Sequence, residues 1–179
     1  KAIADKTSLP GLRYNVPSRT ALNMTAETTL RLAQIDNIVG VKEASSDPVQ
    51  IANIIDRAPK GFRVWSGNDD ETFSIMCVGG YGVVSVASNI IGNQIKTMMT
   101  FVLDNQLEDA AKEHRRMLAI FKALSWVTNP VPIKYAVNRA GFNAGPTRLP
   151  MAEPDQAFKS KFDPIMDQYQ VDLPVAVAI

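Results

Sequence analysis

Short strand-like segments alternate with amphipathic segments along the first 105 residues of this chain. The strand-like segments span 11–15, 38–42, 62–66 and 82–86. The segments between them, 25–34, 48–58 and 69–78, begin with residues that suit a helix N-terminus and place apolar side chains at helical spacing. A strand–helix alternation with a period of roughly 25 residues predicts parallel βα units.

Beyond residue 105 the strand-like segments end. Residues 107–124, 131–140 and 153–169 have the pattern of three helices, and Asn129-Pro130 separates the first two. The sequence therefore predicts two domains, a βα-repeat region over residues 1–105 and an all-helical domain over 106–179.

Four βα units make half of a TIM (β/α)8 barrel, a fold that typically takes about 250 residues. The predicted fold class is α/β: the C-terminal half of such a barrel, followed by a helical C-terminal domain. A half barrel would leave two strand edges and its inner face open. We therefore expect the other half of the barrel to come from further sequence of the same protein or from a second chain.

Composition excludes several function classes. The net charge is +1 without a Lys/Arg run, which argues against a nucleic-acid partner. The single cysteine, Cys77, rules out an internal disulfide framework and fits a reducing compartment such as the cytoplasm, while one histidine, His114, excludes a multi-histidine metal site. No apolar stretch has the length of a membrane span, and the apolar tail 171–179 is expected to dock on a neighbouring surface.

Lys42 ends a strand-like segment that should be buried on both faces. In α/β barrels the carboxyl ends of the strands carry the chemistry. Burial disfavours the ammonium form of an amine, and the free amine can condense with a ketone. The alternative is a structural lysine that extends from the strand end into solvent.

Six segments, taken in order, resemble the dihydrodipicolinate synthase and N-acetylneuraminate lyase family of pyruvate-dependent class I aldolases. They are 14–20 (Tyr-Asn-Val-Pro-Ser-Arg-Thr), 39–44 (Val-Gly-Val-Lys-Glu-Ala), 66–69 (Ser-Gly-Asn-Asp), 79–86 (Gly-Gly-Tyr-Gly-Val-Val-Ser-Val), 129–134 (Asn-Pro-Val-Pro-Ile-Lys) and 148–151 (Arg-Leu-Pro-Met). Each segment alone is a weak signal, whereas six in order at family spacing form a specific one.

The resemblance implies roles for five residues. Lys42 would form the Schiff base with pyruvate, Tyr14 would shuttle protons, and Arg19 would hold the carboxylate of aspartate semialdehyde. Gly67 and Val84 would offer backbone groups near the bound pyruvate. Three of them also have a structural reading: an aromatic that fills the barrel top for Tyr14, a surface arginine for Arg19, and a turn glycine for Gly67. Glu43 follows Lys42, so strand alternation sends it to the opposite face, and it is expected to be structural.

The implied activity is a lyase of lysine biosynthesis, acting without a metal or redox cofactor, in a homo-oligomer (dimer or tetramer). Two alternatives stay open. The chain could belong to a sialic acid lyase or a keto-deoxy-sugar acid aldolase of the same superfamily. It could also be a noncatalytic assembly module, with the apolar residues Leu118, Ile120, Phe121 and Leu124 used for oligomer contacts.

Overall fold

The computed structural model describes residues 1–172 and contains a sheet of four parallel strands in the order β1-β2-β3-β4. The strands are β1 (Gly11–Asn15), β2 (Ile38–Glu43), β3 (Arg63–Ser66) and β4 (Gly82–Val83). Because the spatial order equals the chain order, each crossover moves one strand in the same direction, as in repeated βα units. The α/β class with a parallel sheet is confirmed.

Eight α-helices accompany the strands within residues 1–172. They are α1 (Pro17–Thr20), α2 (Ala26–Leu32), α3 (Pro48–Arg57), α4 (Thr72–Cys77), α5 (Ser88–Leu103), α6 (Leu107–Ala123), α7 (Val131–Arg139) and α8 (Gln156–Met166). Single turns of 3-10 helix lie at Ala4–Lys6 and Asp69–Glu71. The fourth strand is shorter than the predicted 82–86, and α5 occupies a segment to which the sequence analysis assigns no element.

Side chains that cap helix N-termini explain where several helices begin. The Thr25 hydroxyl accepts a hydrogen bond from the Thr28 amide at the start of α2, and the Asp155 carboxylate accepts one from the Phe158 amide at the start of α8. Asp47 accepts from two amides of α3, in which Pro48 occupies the first position. Each cap satisfies amides that have no partner inside the helix.

The chain divides into two compact units, Lys1–Ser85 and Val86–Ile179. The core of the first unit lies between the strands and the helices that cover one face of the sheet. It consists of Ala26, Val41, Ile51, Ile54, Val64 and Ile75, with Met24, Ile55 and Phe62 packed against it. These residues come from β2, β3 and three helices, so the core joins the sheet to its helical layer.

The second unit contains helices α5 to α8 in its described part. Met98, Met117, Ile120 and Phe162 are fully buried there. Phe121 and Leu124 are also buried, so of the four apolar residues considered for oligomer contacts Leu118 is the exposed one. The predicted domain boundary at 105 groups α5 with the βα repeat, whereas compactness groups α5 with the later helices. That boundary stays a prediction.

Candidate active site

Three strands place one side chain each on a common rung near their carboxyl ends. Tyr14 of β1 pairs in register with Lys42 of β2, and Lys42 pairs with Trp65 of β3. Residues in register on parallel strands project to the same face of a sheet. The Lys42 Nζ atom lies 4.2 Å from the centroid of the Tyr14 ring. The structure thus brings together the two residues predicted to be catalytic.

The face that carries this rung is open in the described residues. Leu12 and Tyr14, two residues apart on β1, are 39% and 48% exposed, while Lys42 is half-buried. By contrast, Val41 and Val64 face the helices and are buried in the core. Lys42 therefore lies on the uncovered side of the sheet, where small molecules can reach its amine.

Trp65 is a site-lining residue that the sequence reasoning missed. Its ring packs against Gly40, the residue two before Lys42 on the same face of β2, and a Cβ at that position would overlap the ring. The edge of the Trp65 ring also meets Tyr81, with centroids 5.1 Å apart. The absence of a side chain at Gly40 thus leaves room for the Trp65 ring on the face that carries Lys42. The available sequence signal was a large aromatic residue directly before the Ser-Gly-Asn-Asp segment.

Arg19 lies in α1, which begins two residues after β1 ends. The helix is one turn long, with Pro17 at its first position, and the Arg19 amide donates to the Val16 carbonyl at 2.9 Å. Arg19 is exposed. It belongs to the loop that leaves the carboxyl end of β1, at the edge of the sheet where Tyr14 and Lys42 lie.

Gly67 and Val84 directly follow β3 and β4. The Gly67 amide donates to the Glu43 carbonyl at 2.7 Å, and the Val84 amide donates to the Ser66 carbonyl at 2.9 Å. Both amides are therefore already bonded within the sheet, and the roles of Gly67 and Val84 near the bound pyruvate stay a prediction. A Cβ on Gly67 would lie 2.7 Å from the Ala44 Cβ, which gives this glycine a packing role beside the end of β2.

A buried polar cluster lies behind the rung, on the helix side of the sheet. Asn15 and Glu43, which follow Tyr14 and Lys42, are 2% and 0% exposed, and the Asn15 Nδ2 donates to Glu43 Oε1 at 2.9 Å. Asn23 and Gln50 complete the cluster. Polar residues directly after both site residues were the sequence signal for it. The structural reading of Glu43 agrees with this position.

Burial raises the pKa of the Glu43 carboxyl, because desolvation disfavours its charged form. Hydrogen bonds from Ser45, Asn15 and Gln50 act in the opposite direction and favour the carboxylate. The three donors are neutral, so the charge of Glu43 is stabilised by dipoles and by no ion pair within the described residues.

Metal and membrane features are absent from the described part of the chain. In residues 1–172 no three His, Cys, Asp or Glu side chains lie close enough to hold a metal ion. None of the helices in this range is long and apolar enough to cross a membrane.

A sequence profile of the dihydrodipicolinate synthetase family matches residues 1–169. The chain belongs to this family. The resemblance of the six segments is confirmed over nearly the whole chain.

Two kinds of relatives agree with this family assignment. The 4-hydroxy-tetrahydrodipicolinate synthase of Dehalococcoides mccartyi strain CBDB1 is 47% identical over 98% of this chain and 59% of its own length. Among solved structures, dihydrodipicolinate synthase from Cyanidioschyzon merolae with lysine bound has a TM-score of 0.90 at 40% identity, covering 93% of this chain and 57% of that one. The Acinetobacter baumannii enzyme in complex with pyruvate has a TM-score of 0.88 at 28% identity, with coverage of 93% and 57%. This family member thus spans somewhat more than half the length of its relatives.

Proposed function

We propose that this family member acts as a 4-hydroxy-tetrahydrodipicolinate synthase, a lyase that condenses pyruvate with L-aspartate 4-semialdehyde in the diaminopimelate route of lysine biosynthesis. The observation that carries the proposal is the Lys42 amine 4.2 Å from the centre of the Tyr14 ring, on the open face of a parallel sheet. The names of the relatives and the pyruvate complex of the Acinetobacter baumannii enzyme support it.

Lys42 is the nucleophile in this proposal. Its neutral amine attacks the ketone carbon of pyruvate, and loss of water from the carbinolamine gives a protonated imine. The imine nitrogen withdraws electrons, so a methyl proton leaves and an enamine forms. The enamine carbon then attacks the aldehyde carbon of the second substrate, which takes up a proton as its oxygen becomes a hydroxyl. The imine thereby replaces a difficult carbanion step with easier ones.

Tyr14 and Arg19 assist that chemistry. The cationic imine would lie where the Lys42 amine now faces the Tyr14 ring, and an aromatic face stabilises a cation at this distance. The Tyr14 phenol would accept and return protons during imine formation and ring closure. The Arg19 guanidinium, in the adjacent loop, would bind the carboxylate of the aldehyde substrate through two parallel hydrogen bonds. No metal or redox cofactor is required by these steps.

The barrel assignment belongs to the same proposal. Residues 1–105 would form the C-terminal half of a TIM barrel and residues 106–179 a helical C-terminal domain. The exposed Leu12 and Tyr14 side chains would line the barrel interior once the other strands are present. We further propose a cytoplasmic homo-oligomer, a dimer or a tetramer, in keeping with one free cysteine.

Reduction with borohydride in the presence of pyruvate tests the proposal. The native protein should gain the mass of one reduced pyruvate, on Lys42, because hydride fixes the imine as a stable amine. Lys42→Arg should remove this label, while the control Lys60→Arg, at an exposed lysine of the same unit, should retain it. Labelling of another lysine, or no label at all, would contradict the assignment.

The identity of the aldehyde is tested by turnover. Aspartate semialdehyde should be converted faster than sialic acid is cleaved, because the loop after β1 presents an arginine suited to a small acidic substrate. Arg19→Ala should raise the KM for the aldehyde and leave pyruvate labelling of Lys42 in place. A preference for sialic acid would move the assignment to the sugar acid branch of the superfamily.

A further inference from the structure

The buried cluster behind Lys42 joins the two ends of the loop that carries Arg19. Asn15 is the last residue of β1, and Met24 lies near the far end of the connection, two residues before α2 begins. The Asn15 Oδ1 atom accepts the Met24 amide at 2.9 Å, and its Nδ2 donates to Asn23 Oδ1 at 2.8 Å. One buried side chain therefore closes the loop on itself.

The same cluster attaches the closed loop to β2. The Asn15 Nδ2 also donates to Glu43 Oε1 at 2.9 Å. Glu43 is fully buried, directly follows Lys42, and holds the start of the next loop by accepting the Ser45 amide at 2.9 Å. The Glu43 carboxylate thus links the strand that carries Lys42 to the loop that carries Arg19, beside the backbone hydrogen bond from the Ala44 amide to the Asn15 carbonyl at 2.9 Å.

Gln50 attaches both of them to α3. Its Nε2 lies 3.2 Å from the Met24 carbonyl, 3.3 Å from Asn23 Oδ1 and 3.4 Å from Glu43 Oε2, and its Oε1 accepts from Asn23 Nδ2 at 2.9 Å. Gln50 itself is 8% exposed. Hydrogen bonds in such a buried network must be satisfied together, since a polar group left unpaired there is costly.

The loop is also stiffened internally. The Thr20 Oγ1 atom lies 2.9 Å from the Leu22 carbonyl oxygen and 3.2 Å from the Val16 carbonyl oxygen, so its one proton can bond to either end of the turn. A loop that is rigid inside and held at both ends moves as one body with its attachment. The loop is attached through the cluster of Asn15, Asn23, Glu43 and Gln50. The cluster therefore fixes the position of the Arg19 backbone relative to the Lys42 strand.

We propose that Asn15, Asn23, Glu43 and Gln50 are positioning residues that hold the Arg19 loop against the Lys42 strand and thereby determine the affinity of the site for its acidic aldehyde substrate. This inference rests on the proposed function. It separates two tasks: imine formation depends on Lys42 and Tyr14 on the open face, and recognition of the aldehyde carboxylate depends on the cluster behind them.

Gln50→Met in the purified native protein is the principal test, because methionine keeps the volume of glutamine and removes its hydrogen bonds. The KM for aspartate semialdehyde should rise roughly tenfold, the factor that corresponds to one hydrogen bond of ordinary net strength. The rate constant for borohydride labelling of Lys42 with pyruvate should change by less than about twofold, because imine formation depends on the open face and not on the cluster. Asn53→Ala, at an exposed position one turn further along α3, is the matched control and should change neither.

Two further variants make the test independent of folding and of a general structural effect. Asn23→Ala alters an exposed member of the cluster and should raise the aldehyde KM in the same way. In an Arg19→Ala background, Gln50→Met should have little further effect on that KM, because the cluster acts through Arg19.

The outcomes separate the two proposals. If pyruvate labels Lys42 while the aldehyde KM of both cluster variants stays unchanged, the positioning inference is wrong and the proposed function stands. An equal loss in pyruvate labelling and aldehyde affinity, or full additivity with Arg19→Ala, also overturns the inference. If the native protein shows no label at Lys42, the proposed function itself fails.

Discussion

At the scale of single residues, neighbours in sequence have opposite environments at the end of β2. Lys42 lies half-buried on the open face, and Glu43 is fully buried behind it. Strand alternation alone produces this contrast. The consequence is an amine that is accessible to substrate and a carboxyl group whose ionisation is disfavoured by burial.

Glu43 should make stability depend on pH. Because burial raises its pKa above the ordinary 4.5, the folded state binds this proton more tightly than the unfolded state. The stability it contributes is fully present below the unfolded pKa and is lost as the pH rises through the folded pKa. Glu43→Gln cannot ionise. The free energy of unfolding of the native protein minus that of the variant should therefore fall as the pH rises from below 4.5 through the raised pKa of Glu43. A constant or rising difference, measured by urea unfolding, would contradict this.

Gly67→Ala should disturb the strand ends beside Lys42. The added methyl would lie 2.7 Å from the Ala44 Cβ and 3.0 Å from the Glu43 carbonyl oxygen, so backbone must move. We expect a loss of about 1–3 kcal/mol in unfolding free energy and slower labelling of Lys42 by pyruvate. Gly92→Ala, where the nearest atoms are 3.8 Å away, is the control and should retain normal stability and labelling.

At the scale of elements, α3 serves the core and the polar cluster at once. Ile51 and Ile54 face the core, and Gln50, at the first turn, faces the cluster. The Asp47 carboxylate caps this turn by accepting the amides of Val49 and Gln50 at 3.0 and 2.9 Å. The start of α3 therefore fixes the position of Gln50.

Asp47→Ala should destabilise the protein by about 1 kcal/mol, the usual cost of losing an N-terminal cap. Since the cap adjoins Gln50, the aldehyde KM should also rise, by less than in Gln50→Met. Asp56 is exposed near the carboxyl end of α3, where a negative charge interacts unfavourably with the helix dipole. Asp56→Ala should therefore leave the stability unchanged or slightly improved. Denaturant midpoints and steady-state kinetics on the same samples measure both effects, and an Asp56 effect as large as that of Asp47 would contradict the capping argument.

At the scale of the whole molecule, the first compact unit depends on one apolar layer between the sheet and its helices. Ile54, like Val41, has no exposed surface in this layer. Ile54→Ala should lower the unfolding free energy by about 2–5 kcal/mol. Val49→Ala, on the same helix but 69% exposed, should change it by less than about 0.5 kcal/mol. Comparable losses in the two variants would contradict the assigned core.

Much of the architecture could be predicted because its signals are local. Caps and helical spacing marked α2, α3, α6 and α7, and the convergence of parallel strand ends predicted that Tyr14 and Lys42 meet. The helix α5 was missed because its pattern is interrupted: Ile91 has non-helical torsion angles, φ −132° and ψ 38°, next to Gly92. The cluster was missed because its partners lie 27 and 28 residues apart in sequence.

The sequence by itself determined the strand–helix order, the family, and the lysine and tyrosine at neighbouring strand ends, since periodicity, caps and motifs are properties of short segments. Only the tertiary structure decided that Trp65 lies against Gly40 and that the Gly67 and Val84 amides are already bonded. It also decided that buried Asn15, Glu43 and Gln50 share one hydrogen-bond network with exposed Asn23. The physical reason is that hydrogen-bond partners and desolvation are set by which distant segments pack together, and packing is a property of the folded chain.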